Sequence, residues 1–146
     1  MKLILPDALA AQITSAAKAA APRECCGLVE GLRNGDDVYA TALHPAKNLS
    51  EAADCFDIAP ADHIAASKTA RARGRMLIGC YHSHPGGVAK PSARDVAGGA
   101  EENFLWLIAG SDRLAGFVYR AGDFEEIAIG VAIGADLVTS SSNERS

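Results

Sequence analysis

The chain predicts a single α+β domain, with a curved, mostly antiparallel or mixed sheet flanked by helices. Three observations carry that expectation. At 146 residues the chain has the length of one domain. One stretch repeats apolar residues at helical spacing, and a second runs from a Pro start signal to a Gly stop. Between and after them lie short apolar runs bounded by turn signals, as strands are.

The elements follow in order. Residues 2–5 are short and apolar and read as a strand. Pro6 and Asp7 then open a helix to about Ala20, with Leu9, Ile13, Ala16 and Ala20 on one face, and Pro22 closes it. Residues 25–31 and 38–43 read as strands joined by the hairpin signal Asn34-Gly35-Asp36. Residues 44–60 are irregular, with a short strand expected at 56–58. Pro60-Ala61-Asp62 begins a second helix, which runs to about Arg73 and stops at Gly74. Residues 76–81 form a buried strand leading into His82-Ser83-His84-Pro85. Residues 86–91 are a loop, and Ser92 is the expected N-cap of a short helix to about Val96. Strands at 104–109, 114–119 and 124–133 complete the domain, which is expected to span residues 1–134. A polar, Ser-rich tail over 135–146 is expected to fray.

Composition excludes several classes of function. Apolar residues make up 49% and charged residues 22%, the balance of a globular domain able to bury a core. A formal net charge of −4 leaves no electrostatic footprint for nucleic acid. The densest basic group, Lys68, Arg71, Arg73 and Arg75, suits the solvated face and end of a helix. The apolar run at Leu3–Leu5 is stopped by Pro6 and is too short for a signal peptide, and no later run reaches the length of a membrane span. A cytoplasmic location is therefore expected. Cys25, Cys26, Cys55 and Cys80 form no C-x-x-C pair and read as buried thiols.

One constellation carries chemistry. His82 and His84 stand two apart at a strand end, so both imidazoles project from one face and can reach one ion. Ser92 and Asp95 stand three apart on a short helix, again on one face. If that helix packs beside the strand end, Asp95 is a third ligand at about 2.0–2.2 Å and Ser92 lies close by. Two His and one carboxylate leave a fourth tetrahedral position for water, the composition of a catalytic zinc site. Such chemistry also needs a general base, usually a nearby Glu, and Glu30 lies on the strand expected at 25–31. Cys80, at i−2 from His82, shares its face; a Cys-His-His-Asp set would be coordinatively closed. His44 and His63 read as ordinary surface or cap residues.

The string His82-Ser83-His84-Pro85, six residues, then Ser92-Ala93-Arg94-Asp95 resembles the signature of the JAMM (MPN-plus) metalloproteases. The upstream Pro22-Arg23-Glu24-Cys25-Cys26-Gly27-Leu28 looks like the segment carrying that family's catalytic Glu, and the resemblance covers roughly residues 1–130. It implies a cytidine-deaminase-like architecture and one zinc held by His82, His84 and Asp95. It implies Glu24 as general base and later acid, and Ser92 as donor to the oxyanion. It further implies cleavage of amide or isopeptide bonds after the C-terminal Gly of a ubiquitin-like protein. The short chain and the Pro-x-Glu-Cys-Cys-Gly-Leu string are most similar to bacterial members, which implies a sulfur-carrier protein with a Gly-Gly tail as partner and release of an amino acid such as cysteine. A hydrolase of small amides and a metal-free scaffold of the same fold are the alternatives.

Overall fold

The computed structural model describes residues 1–93, 95 and 101–132. The chain runs β1 (Lys2–Pro6), α1 (Asp7–Ala20), β2 (Cys26–Asn34), β3 (Asp37–Ala46), α2 (Pro60–Ala72), β4 (Met76–Ser83), β5 (Leu105–Ala109), β6 (Leu114–Arg120) and β7 (Asp123–Ala132). The helices start and stop where Pro and Gly punctuate the sequence. Pro60 occupies the first turn of α2, and Gly74, at φ +72°, takes up the left-handed conformation just past its end. Residues 133–146 and most of the segment after Ser92 lie outside the described residues, and with them the expected polar tail and the end of the short helix.

The sheet is where expectation and structure part. It is a closed barrel in the order β1-β3-β2-β4-β5-β6-β7, not a curved open sheet. Closure is made by β1, which pairs in parallel with β3 through Leu3↔Val38 and Ile4↔Tyr39, and with β7 from Lys2↔Ala128 to Pro6↔Ala132. Strands so far apart in the chain leave no local pattern of their pairing. The remaining pairs are antiparallel except β4–β5, so the barrel is mixed.

Strand β4 serves two cores. Ile78 and Tyr81 join Leu9 and Ile13 of α1 together with Leu3, Leu5 and Leu107. Cys80 joins Leu28, Trp106, Ile108 and Phe117, against Ala66 of α2. A register shift in the β2–β4 ladder, between Val29 and Glu30, sits beside Ile78 and sets this alternation. His82, at i+2 from Cys80, therefore faces the second core. Among the described residues no helix is long and apolar enough to cross a membrane.

Strands β4 and β5 approach so closely at Gly79 that an added Cβ would overlap the carbonyl oxygen of Leu105. Gly79→Ala is expected to destabilise the fold by about 1–3 kcal/mol, the usual effect of overpacking. Thermal unfolding measures it; an unchanged Tm would show that β5 can move off β4 freely.

Candidate metal centre

The centre begins with the register between β2 and β4, which sets Cys26 opposite His82. Ser83 extends the connection: its N–H donates to the Cys25 carbonyl at 3.2 Å, and its Oγ accepts from the Cys25 N–H at 2.8 Å. The residue before Cys25 is thereby held beside the end of β4. That residue is Glu24, 6% exposed. Oxygen of its carboxylate and a ring nitrogen each of His82 and His84 lie within 4.8 Å of one another.

Asp95 approaches the same two rings more closely. His82 Nε2 and His84 Nε2 are 2.9 Å apart, and Asp95 Oδ2 is 3.3 Å from each. For an ion at 2.0–2.1 Å from its ligands the edge of a tetrahedron is about 3.3–3.4 Å. Two imidazoles and one carboxylate at these separations fit a small dication. Glu24 makes a second carboxylate beside the pair, so the described atoms offer two overlapping donor sets that share both His.

Each donor is aimed by its neighbours. His84 Nδ1 lies 3.0 Å from the Val88 carbonyl, which can only accept, so Nδ1 carries the proton and the lone pair of the neutral ring is on Nε2. The ring of His82 stacks on Phe56, with centroids 4.3 Å apart and planes at 22°, and meets Trp106 at 90°. Its Nδ1 is buried and has no hydrogen-bond partner among the described residues, so packing orients this ring. Ser92 and Asp95 form a reciprocal cap: Ser92 N–H donates to Asp95 Oδ2 at 2.8 Å, and Asp95 N–H donates to Ser92 Oγ at 3.1 Å. The Ser92 oxygen acts as acceptor there, which leaves its own proton to donate elsewhere.

The electrostatics are those of a site that attracts a cation. Burial works to raise the Asp95 carboxyl, but its bonds to His82 and His84 outweigh that and hold it well below the usual carboxylate range. Burial pushes His82 down, so its ring stays neutral. Burial also acts to lower His84, but the Asp95 and Val88 contacts prevail and raise it.

Other residues singled out by sequence lie elsewhere. Glu30, the rival base, is 1% exposed and engaged by His44 Nε2 at 2.7 Å and by Arg73 Nη1 at 3.4 Å. It pairs with Leu77, well down β4 from His82, and takes no part in the centre. His44 is accordingly a half-buried partner of Glu30 and not a plain surface residue, and Arg73 turns from the basic cluster to the same carboxylate. His63 is exposed on α2. Cys80 is buried beneath the rings; desolvation, then the charge of Asp95, push its thiol far above its ordinary value. Its sulfur is not among the donors grouped with both rings within 4.8 Å. All four cysteines are free.

A cleft of about 690 Å³ opens onto the centre, lined by Glu24, Asp54, His84, Val88, Lys90 and Ser92 among others. Its walls come from the 48–58 and 86–91 segments. The second wall is pinned to the β5–β6 turn, where Asp112 Oδ1 accepts from Ala89 N–H at 3.0 Å and Ser111 N–H donates to the Gly87 carbonyl at 2.8 Å. Three contributors carried no sequence signal of their role: Asn48, Phe56 and Ser83. The first two sit in an aperiodic stretch, and Ser83 reads only as the spacer of the His pair.

A small mixed barrel carrying two His and two carboxylates at the mouth of a cleft defines a class, the JAB-type domain. The chain belongs to the family described as prokaryotic homologs of the JAB domain, which matches residues 6–122. The resemblance to the JAMM (MPN-plus) proteins is thus borne out. The chain is 28% identical over 112 residues to a desampylase from Haloferax volcanii, covering 75% of this chain and 79% of that protein. It is 33% identical over 110 residues to a probable TtuB-protein conjugate cleaving protease from Thermus thermophilus, covering 75% and 69%. A solution structure of a protein from Desulfitobacterium hafniense superposes with a TM-score of 0.82 at 28% identity, over 91% of this chain and 94% of that one.

The thiol environments give a direct test. Desolvation, reinforced by the neighbouring Cys25, pushes Cys26 up to about 12. Cys26 and Cys80 are both buried. A disulfide reagent at neutral pH, which needs thiolate, should label Cys26 and Cys80 only on unfolding, with half-buried Cys55 reacting first. Rapid labelling of Cys80 in the native protein would contradict its placement under the rings.

Proposed function

We propose that the protein is a zinc metallopeptidase that hydrolyses an amide or isopeptide bond after the C-terminal Gly of a small ubiquitin-like or sulfur-carrier protein, releasing for example a C-terminal amino acid such as cysteine. The observation that carries this reading is the convergence of His82 Nε2, His84 Nε2 and Asp95 Oδ2, with Asp95 Oδ2 at 3.3 Å from each nitrogen and the nitrogens 2.9 Å apart. The names of the two curated relatives, one a desampylase and one a probable conjugate-cleaving protease, point the same way.

In this reading His82, His84 and Asp95 hold one zinc per chain, and Glu24 stands off as the proton carrier. Zinc supplies Lewis acidity, lowering the pKa of water to about 7 and polarising a carbonyl. Glu24, buried yet opening on the cleft, takes the proton of the attacking water and returns it to the leaving amine. Ser92 donates its hydroxyl proton to the oxyanion, a contact of the kind worth about 2.7–4 kcal/mol in the transition state. Strand β4 is paired on both sides, with β2 and β5, so a substrate tail finds no free edge there. It runs instead between the two cleft walls, where a Gly-Gly tail brings no side chain to clash. Four free thiols suit a reducing cytoplasm.

The test uses purified protein and carrier adducts ending in Gly-Gly. Elemental analysis should give about one zinc per chain in the wild type and none in a His82→Ala, Asp95→Ala double variant. Glu24→Gln should keep its zinc and its Tm while turnover falls by about 10²–10⁴-fold. Mass spectrometry should place the cut after the second Gly, and a terminal Gly-to-Val change in the carrier should abolish it. Cleavage of small amides but of no Gly-Gly adduct would replace the carrier by a small-molecule substrate.

A pH titration follows from the raised His84. Its proton competes with zinc, so affinity should begin to fall as pH drops through a value above the ordinary 6.5, by about tenfold per pH unit. Zinc affinity unchanged down to pH 5 would remove His84 from the ligand set.

A further inference from the structure

The side chain of Asn48 makes four hydrogen bonds beside the centre just described. Its Nδ2 donates to the Glu24 carbonyl at 3.0 Å and to the Cys55 carbonyl at 3.2 Å. Its Oδ1 accepts from the N–H groups of Ser50 and Asp57, both at 2.9 Å. Two acceptors on the nitrogen side and two donors on the oxygen side allow only this orientation of the amide. The main chain of Asn48 forms an isolated bridge with Ile58, and Leu49 N–H donates to Asp57 O at 2.8 Å. One carboxamide thus closes residues 48–57 into a compact loop and ties that loop to the backbone of Glu24. Arg23 ties it a second time, through guanidinium contacts to the carbonyls of Ser50 and Glu51.

What the loop carries is Phe56. Its ring lies on His82 at 4.3 Å and meets Trp106 edge-on at 5.7 Å. A metal-binding His is usually aligned by a hydrogen bond from its second nitrogen. His82 has no such bond among the described residues, so its ring angle depends on the Phe56 and Trp106 faces. Trp106 is fixed within β5. Phe56 is fixed only as well as its loop is.

We propose that Asn48 and Phe56 act as one positioning device, in which Asn48 sets the Glu24 backbone and, through the loop it closes, the Phe56 ring that aligns His82. The proposal rests on the function proposed above for Glu24 and His82. It couples the proton carrier and one metal ligand to a single amide. Neither residue touches substrate in this account; both act through others.

Three variants separate the two arms. Asn48→Asp keeps both oxygen-side bonds and loses both nitrogen-side donations. The Ser50 and Asp57 bonds and the bridge to Ile58 still close the loop, while a carboxylate oxygen now opposes the Glu24 and Cys55 carbonyls, so kcat should fall tenfold or more at unchanged KM and zinc affinity should fall less than in Asn48→Ala. Asn48→Ala loses all four bonds and should weaken zinc as well as lower kcat. Phe56→Leu leaves the Asn48 bonds intact and should weaken zinc by about 10–100-fold, the usual effect of losing a ligand's support. Zinc affinity is read by competition with a chelating dye, kcat and KM on a Gly-Gly adduct, and folding by circular dichroism and Tm. A merely structural role would lower Tm and leave the zinc affinity and kcat of the folded fraction at wild-type values; that result overturns the proposal. So does wild-type zinc affinity in both Phe56→Leu and Asn48→Ala. Should the wild type cleave no adduct, the functional reading fails by itself, and the zinc comparison still decides the Phe56 arm.

Discussion

Everything at the centre depends on one backbone pairing, the antiparallel ladder that sets Cys26 of β2 against His82 of β4. The ladder ends there, and Ser83 carries the connection past its end by bonding Cys25 at both main chain and side chain. From that anchor Glu24 falls beside the His pair. Shifting the register by one residue would turn His82 from the aromatic core to the α1 side. Because β4 is also paired with β5 on its other side, the register is held from both flanks. Barrel closure through β1 removes the freedom of an open sheet to flex there.

The donors converge at a cost that their own mutual contacts only partly offset. Two imidazole nitrogens at 2.9 Å and a carboxylate oxygen at 3.3 Å from each concentrate electron density in a buried place. Protonation is one remedy, and the directions of the shifts show where it acts: His84 is raised while the more deeply buried His82 is lowered. A dication is the fuller remedy, since it neutralises Asp95 and accepts both lone pairs at once. Cys80 lies below the rings, where burial raises its thiol, and it is not among the donors grouped with both His rings.

Much of this could be read from the residues, and the boundary of what could not is physical. Helices and most strands ended within a few residues of where Pro, Gly and the Asn34-Gly35-Asp36 turn put them, because those signals are local. The His pair was legible because strand alternation fixes i and i+2 on one face whatever the fold. The closure of the barrel was not, since β1 meets β7 across nearly the whole chain. Nor was the choice between Glu24 and Glu30, which both lie on or beside β2. Asn48 and Phe56 gave no warning, because an aperiodic loop is defined by its own hydrogen bonds, and nothing in spacing reveals these.

The two glutamates show why residue type alone does not make a catalytic group. Both are buried, six positions apart on one segment of chain. Glu30 sits at register shifts in both of its ladders, and His44 and Arg73 close over its carboxylate. A buried carboxylate closed over by two such partners is occupied within the fold and lies away from the cleft, so it serves the fold. Glu24 lies instead where the ladder runs out, within reach of both His and facing a cleft. The distinction lies in the neighbours: His44 and Arg73 close over the Glu30 carboxylate, whereas Glu24 lies within reach of the ring nitrogens of His82 and His84. For the proposed reaction, a carboxylate would serve as proton carrier only where the fold leaves it a path to substrate, and the cleft gives Glu24 such a path at the open end of β2.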